Sequence, residues 1–329
     1  MEYRRLGSTD LEVSTIGFGC WGIAGGPMWG DQQESDSIAA LRAAADAGVN
    51  FFDSAEAYGN GYSEEIVGRA LKGERDRVIL ATKVSPSRLA PDSLRSSCEA
   101  SLRRLQTDCI DLYQIHWPEP PGDPEEVART LESLKSEGKI RHAGVSNFGP
   151  VDLDRYPQGT FVSNQLAYSL AFRAIEYHLL DASVSRGMSI ITYSSLLHGV
   201  LTGKYRTPDD IPPGRGRTRH FSSHRPDVRH GEAGHEELLF DLIDELAAVG
   251  EEAGLSIREA AMLWVLAQEG VATLLAGSRT AEQAVENASV ADRRMDDALL
   301  RRLTAAGTAL KEALGPNPDM WQPESRVSW

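Results

Sequence analysis

The stretch 49-VNFFDSAEAYGNGYSEEIVGRALKGERDRVILATK-83 decides the fold. It opens with a short apolar run, VNFFD (49–53), that ends on a carboxylate. A helix-like segment follows, SEEIVGRAL (63–71), with Ser63 placed as an N-cap and Glu64 and Glu65 in the first turn. A second β-branched run, RVILATK (77–83), closes it. Strand, helix and strand in that order make a βαβ unit with two parallel strands. The unit raises a question of its own: why a buried-looking strand should end in Asp53 and be followed five residues later by Tyr58.

The same rhythm extends in both directions. Strand-like runs fall at 14–19, 49–53, 77–83, 109–116, 140–146, 160–165, 188–194 and 271–277, with helical patterns between them. Residues 34–47 end at Gly48. Residues 92–105 begin with an Asp cap, and 123–137 begin with Asp123-Pro124, a proline in the first turn. In the last of these, Val127, Leu131 and Leu134 recur at helical spacing. Helical patterns resume at 236–249 and 256–268, and 296–314 is amphipathic. Eight alternating units predict an α/β fold, a closed (β/α)8 TIM barrel, in preference to a doubly wound open sheet. The 329 residues suit one barrel domain spanning 1–329, since such barrels take about 250 residues plus extensions. Three extensions are visible: an N-terminal β-hairpin (1–14) turning near Gly7-Ser8, a long loop after strand 7 (206–235), and a C-terminal tail (315–329).

Net charge is −14, from 48 acidic and 34 basic residues, which argues against nucleic acid and anionic membrane surfaces as partners. No apolar run reaches the roughly 18 residues of a membrane helix. The start, MEYRRLGSTDLEV, carries no apolar core of a secretory signal. Cys20, Cys98 and Cys109 form no CxxC pair and no disulfide framework. A cytoplasmic protein is expected.

Two motifs point elsewhere and are set aside. GFGCWG (17–22) matches G-x-G-x-x-G, but glycines and a proline follow where the phosphate-binding helix should open. GVLTGKY (199–205) is one residue short of a P-loop and has Tyr205 where Ser or Thr must hold magnesium. His220, His224, His230 and His235 have no clustered Cys or carboxylate beside them, so no metal is expected.

Barrel chemistry sits at the C-terminal strand ends. There the sequence places Asp53 and Tyr58, Lys83, His116, Ser146-Asn147, Asn164-Gln165 and Tyr193-Ser194. Singly, such residues cap turns or reach solvent. Together, Asp53 would hold Lys83 charged, Lys83 would lower the Tyr58 pKa from about 10, and His116 would orient a carbonyl oxygen. Tyr58 would then protonate that oxygen. This answers the question of Asp53: it secures the lysine that tunes the tyrosine.

These residues, with NFFDSAEAYG (50–59), ATKV at Lys83, QIHWP (114–118), GVSNF (144–148), NQLAYS (164–169), LLHGVLTGKY (196–205) and GSRTAEQAVEN (277–287), make the chain resemble the aldo-keto reductase superfamily over essentially its whole length. The resemblance implies reversible carbonyl reduction on NADP(H), without metal or flavin. By position it implies Asp53, Tyr58, Lys83 and His116 as the catalytic tetrad. Ser146, Asn147 and Gln165 would hold the nicotinamide carboxamide, and Tyr193 would stack on the ring. Ser194, Leu196, Gly199, Leu201 and Lys204 would follow the pyrophosphate. Gly277, Ser278, Arg279, Gln283, Glu286 and Asn287 would take the adenosine end. Arg279 with backbone N–H groups near the helix starting at Ala281 suits a 2′-phosphate and favours NADPH over NADH.

A small-molecule carbonyl substrate is expected between Trp21 and Trp117, with Trp29 and Met28 nearby. Loop 206–235, with six Arg and four His against four carboxylates, reads either as a lid over phosphates or an anionic substrate, or as a disordered solvated loop. Two rival functions stand beside the reductase: an NADP(H)-binding regulatory subunit with little turnover, and a lyase using Lys83 as a Schiff base. Monomer and homo-oligomer are both open.

Overall fold

A computed structural model describes residues 1–118 and 123–329 of the chain. Strands β1 (Tyr3–Arg5) and β2 (Glu12–Ser14) pair antiparallel, Tyr3 opposite Ser14 and Arg5 opposite Glu12, around a turn at Gly7. Eight parallel strands follow: β3 (Ile16–Gly19), β4 (Phe51–Asp53), β5 (Ile79–Val84), β6 (Ile110–Ile115), β7 (Ile140–Ser146), β8 (Ser163–Ala167), β9 (Ser189–Tyr193) and β10 (Val271–Ala276). They close in the order β10-β3-β4-β5-β6-β7-β8-β9, the expected (β/α)8 barrel. The sixth barrel strand lies a few residues later than the 160–165 run suggested.

Period-two alternation along the strands builds the interior in layers. Phe51, Ile79, Ala81, Leu112, Ile191, Ala272 and Leu275 fill the lower barrel. One pleat further on, the inward positions turn polar: Asp53, Lys83, Gln114 and Gln165. The hairpin closes the opposite end, with Leu6, Leu11 and Val13 packed into that same lower cluster. Burying each of these three side chains is worth about 1.5–3 kcal/mol.

The outer helices bury apolar stripes; Glu34–Asp46 covers Ala40, Leu41, Ala44 and Ala45. Asp123 caps Pro124–Ser136 by accepting from the Glu125 amide at 3.0 Å. Two other expected caps are absent. Helix Tyr62–Ala70 starts from Gly61 at φ 94°, and the Ser63 hydroxyl donates instead to the Cys20 carbonyl at 2.7 Å. Helix Pro91–Leu105 starts one residue before Asp92, which leaves that side chain inside the first turn. Gly22–Ala24 after β3 is a short turn of 3-10 helix, so GFGCWG opens no phosphate-binding helix. Among the described residues, no helix is long and apolar enough to cross a membrane.

The loop after β9 is folded against the barrel. Phe221 is fully buried, Arg219 pairs with Glu232 at 2.7 Å, and Arg225 pairs with Glu236 at 3.2 Å. Arg219 also donates to the carbonyls of Leu314 and Asn317, which ties the loop to the C-terminal tail.

Candidate active site

The strand ends open into a cavity of about 850 Å³. All the site residues expected from the sequence line it except Lys83 and Leu201. Lys83 lies directly behind the wall, fully buried. Leu201 does not belong to the site: its side chain is buried in the core, and its amide is taken by the Leu196 carbonyl at 3.1 Å. The turn Leu197–Thr202 coils tightly enough to point this leucine inward.

At the floor of the cavity the Lys83 ammonium forms an ion pair with Asp53 Oδ1 and donates to the Ser54 carbonyl at 2.9 Å and the Tyr58 hydroxyl at 3.2 Å. Asp53 Oδ2 accepts from Gln114 Nε2 and Gln165 Nε2, each at 2.9 Å. Both carboxylate oxygens therefore have donors, which is what a buried carboxylate requires. Burial alone would push the Lys83 ammonium down, but Asp53 first and then Tyr58 outweigh it and hold it above the ordinary lysine value. The Tyr58 phenol is raised. Burial is the larger cause, Lys83 pulls against it, and Asp53 adds to the rise. The lowering by Lys83 that the sequence suggested is thus present but outweighed, because the phenol is set into the cavity wall between Trp21 and His116. Tyr58 stays protonated through the neutral range.

The His116 ring meets the Tyr58 ring edge-on at 5.8 Å. Burial, then the charges of Lys83 and Arg326, push His116 down to about 3, so its imidazole is neutral. Trp21 lies nearly parallel to Tyr58 at 5.9 Å and edge-on to Trp29 at 5.5 Å. Asn147, held at φ 64°, donates to the His116 carbonyl and to Ser146 Oγ, and its Oδ1 accepts from the Tyr193 hydroxyl at 2.8 Å. Gln165 does more than the sequence suggested, since its amide braces Asp53.

The far end of the cavity is cationic. Lys204, Arg215, Arg229, Arg258 and Arg279 line it, against Asp227 and Glu286, while Arg217 stands nearer Tyr58, its Cζ 5.8 Å from the centre of the Trp321 ring. Lys204, Arg215, Arg217 and Arg229 have no ion-pair carboxylate among the described residues. Lys204 is pushed down to about 8 by burial and then by Arg215 and Arg279. Gly199 at φ 88° makes room for this crowd: a Cβ there would sit 3.1 Å from Lys204 Nζ and 3.4 Å from Arg215 Nη1. The 199–205 stretch is no P-loop, yet its lysine reaches the cavity.

Arg279 is engaged differently from the expectation. Its Nε donates to Gln32 Oε1 at 2.6 Å, Nη1 to the Trp29 carbonyl at 2.6 Å, and Nη2 to the Asp31 carbonyl. The guanidinium straps the loop after β3 across the cavity. At the same end, Asn287 Nδ2 donates to Ser278 Oγ, Arg258 bridges Glu286 and Asn287, and Gln283 accepts from the Arg279 amide.

Sequence reasoning missed Gln114, His198, Arg258, Trp321 and Arg326. Gln114 carried a signal: it stands two residues before His116 in an inward register. His198 stacks on Trp321 at 5.0 Å, and only the fold brings that tail residue to the mouth. The loop histidines offer no ligand set: His220 lies near His230 and His235, but its ring nitrogens are bonded to Thr218 and the Ala171 carbonyl. Among the described residues no group of three His, Cys, Asp or Glu is set to hold a metal.

Known proteins resemble this chain in both sequence and fold. The chain is 38% identical over 300 residues to aldo-keto reductase YhdN of Bacillus subtilis, covering 85% of each. It is 32% identical over 328 residues to the NADH-specific methylglyoxal reductase of Escherichia coli, covering 92% of this chain and 98% of the relative. Among solved structures, an aldo/keto reductase of Klebsiella pneumoniae in complex with NADP and acetate superposes with a TM-score of 0.73 at 29% identity, covering 99% of this chain and 98% of that one. The glycerol dehydrogenase of Gluconobacter oxydans superposes with a TM-score of 0.79 at 31% identity, covering 96% and 97%. The aldo/keto reductase family model matches residues 15–307, which span the entire barrel together with Asp53, Tyr58, Lys83 and His116, and the chain belongs to that family of oxidoreductases.

Proposed function

We propose that the protein reduces the carbonyl group of a small aldehyde, ketone or sugar, using NADPH, with Tyr58 as the general acid. The observation that carries this reading is a half-buried phenol hydrogen-bonded to a lysine–aspartate pair and opening on a cavity whose wall also holds cations with no carboxylate partner among the described residues.

The residues present fit a phosphate-bearing dinucleotide. Lys204, Arg215, Arg217 and Arg229 leave positive charge and N–H donors without a carboxylate partner among the described residues. Charge and donors in that state call for an anionic guest. The two relatives bound to NADP or NADPH, both from Klebsiella pneumoniae, support the choice of nucleotide. Ser146, Asn147, Gln165 and Tyr193 would receive the nicotinamide, and Ser278, Gln283, Glu286 and Asn287 the adenosine. Arg279 would act by holding the Trp29–Gln32 loop over the nucleotide.

When bound, the reduced nicotinamide supplies the hydride. Tyr58 delivers the proton to the carbonyl oxygen. Lys83, kept charged by Asp53, stabilises the phenolate that Tyr58 becomes. Neutral His116 offers an N–H to the same oxygen without competing as an acid. Trp21 and Trp117 exclude water from the reacting group. The reverse reaction uses the same groups, with the tyrosinate as base.

The test is nucleotide oxidation, followed by absorbance, with wild type and Tyr58→Phe. Loss of the acid should lower kcat by about 10²-fold or more. Fluorescence titration should show unchanged NADPH affinity and weaker NADH binding. Wild type that binds nucleotide but turns over no aldehyde would return the reading to a regulatory subunit.

A further inference from the structure

The family match ends at residue 307, but the cavity does not. Trp321 and Arg326, from the C-terminal tail, line it on the substrate side. The segment that carries them is firmly built. Met320 and Asp319 are fully buried, Asn317 donates to the carbonyls of Gln322 and Pro323, and the Ser328 amide donates to Asp152 Oδ2 at 2.8 Å.

Arg326 is placed by three contacts. Its Cζ lies 3.5 Å from the centre of the Trp117 ring. Its Nε and Nη2 form a side-on fork with Asp319, at 2.6 and 3.1 Å. Asp319 is itself fixed by the Trp321 amide at 3.0 Å. Among the described residues, the fork leaves Nη1, with two N–H donors, without a hydrogen-bond partner. The guanidinium lies close enough to His116 and Tyr193 to act on both electrostatically. The charge is balanced by Asp319, so the free donors suit a neutral oxygen better than a full anion.

We infer that Arg326 is the specificity-determining residue of the tail, reading a second oxygen on the carbon next to the reacting carbonyl. The preferred substrates are then 2-oxoaldehydes and 2-hydroxyaldehydes or ketones, in preference to plain alkyl aldehydes. Trp321, stacked on His198 and edge-on to Trp21, closes the remaining side and keeps the substrate small. This rests on the reductase reading above.

The experiment compares kcat/KM for propanal, 2-hydroxypropanal and methylglyoxal, which differ only at the second carbon. Wild type should prefer the two oxygenated compounds by about tenfold or more, as one hydrogen bond from a charged donor allows. Arg326→Met should erase most of that ratio. Because Arg326→Met strands Asp319, the Asp319→Asn/Arg326→Gln double variant is measured too, and it should lose the ratio with its fold intact. NADPH affinity reports whether the cavity has survived. A wild-type ratio near one, or a ratio retained in both variants, overturns the inference. Absence of turnover with all three aldehydes in wild type would instead sink the reductase reading.

Discussion

Lys83→Met removes the ammonium that balances Asp53 where the two side chains are 0% and 2% exposed. Deleting one partner of a buried pair costs about 3–5 kcal/mol, because the other charge is stranded. Gln114 and Gln165 keep donating to Asp53 Oδ2, which puts the cost near the lower bound, about 3 kcal/mol. Unfolding entropy of about 2.1 cal/mol/K per residue gives about 0.7 kcal/mol/K for this chain, so Tm should fall by about 4 °C. Adding Asp53→Asn removes the stranded charge and should return at least half of that loss. Thermal unfolding of wild type, both single variants and the double variant closes the cycle, with NADPH turnover measured in parallel. Turnover should stay lost in the double variant while Tm recovers, which separates the chemical role of the pair from its structural one. An unchanged Tm in Lys83→Met, or a double variant whose loss equals the sum of the singles, would refute the argument.

Two further outcomes follow from charge. Lys204, held down to about 8, is protonated below that pH and neutral above it. Nucleotide affinity should therefore weaken by about tenfold between about pH 7 and pH 9, and Lys204→Met should flatten the profile; a flat wild-type titration would contradict the phosphate role. His116 and His198 are pushed down to about 3 and His220 to about 4, each mainly by burial. Below about pH 6.5 the unfolded chain takes up protons that the folded chain refuses, so stability falls as pH drops toward 4. Each histidine contributes about 1 kcal/mol per pH unit in that window. Denaturant midpoints at several pH values, compared between wild type and His198→Gln, should show a shallower slope in the variant; equal slopes would mean His198 is not held neutral.

The barrel and the floor of its cavity were legible because they obey local rules. Parallel strands buried on both faces read as short apolar β-branched runs, and period two carries Phe51 into Asp53 and Ile79 into Lys83. What escaped was set by contacts between residues far apart in the chain. Arg279 looked like a phosphate ligand because nothing near it in sequence shows Trp29, Asp31 and Gln32 waiting for its guanidinium. Leu201 looked like part of a cofactor loop until the turn Leu197–Thr202 aimed it into the core. Ser63 looked like a cap until the Cys20 carbonyl claimed its hydroxyl. The tail read only as an extension of the barrel because Asp319, Trp321 and Arg326 have their partners on Trp117, His198 and each other. The Tyr58 shift was misjudged for a related reason: sequence names the charged neighbour but not the depth of burial that outweighs it.

The hairpin of β1 and β2 has a consequence for how this protein can change. By sealing one pole of the barrel with Leu6, Leu11 and Val13, it separates the residues that give durability from those that give chemistry. Substitutions in the mouth loops and the tail can accumulate without opening the floor, and tighter packing in the floor can offset what they cost. A library aimed at new carbonyl substrates would do well to diversify the mouth and leave residues 1–14 untouched, since that short segment is what lets the rest of the molecule explore.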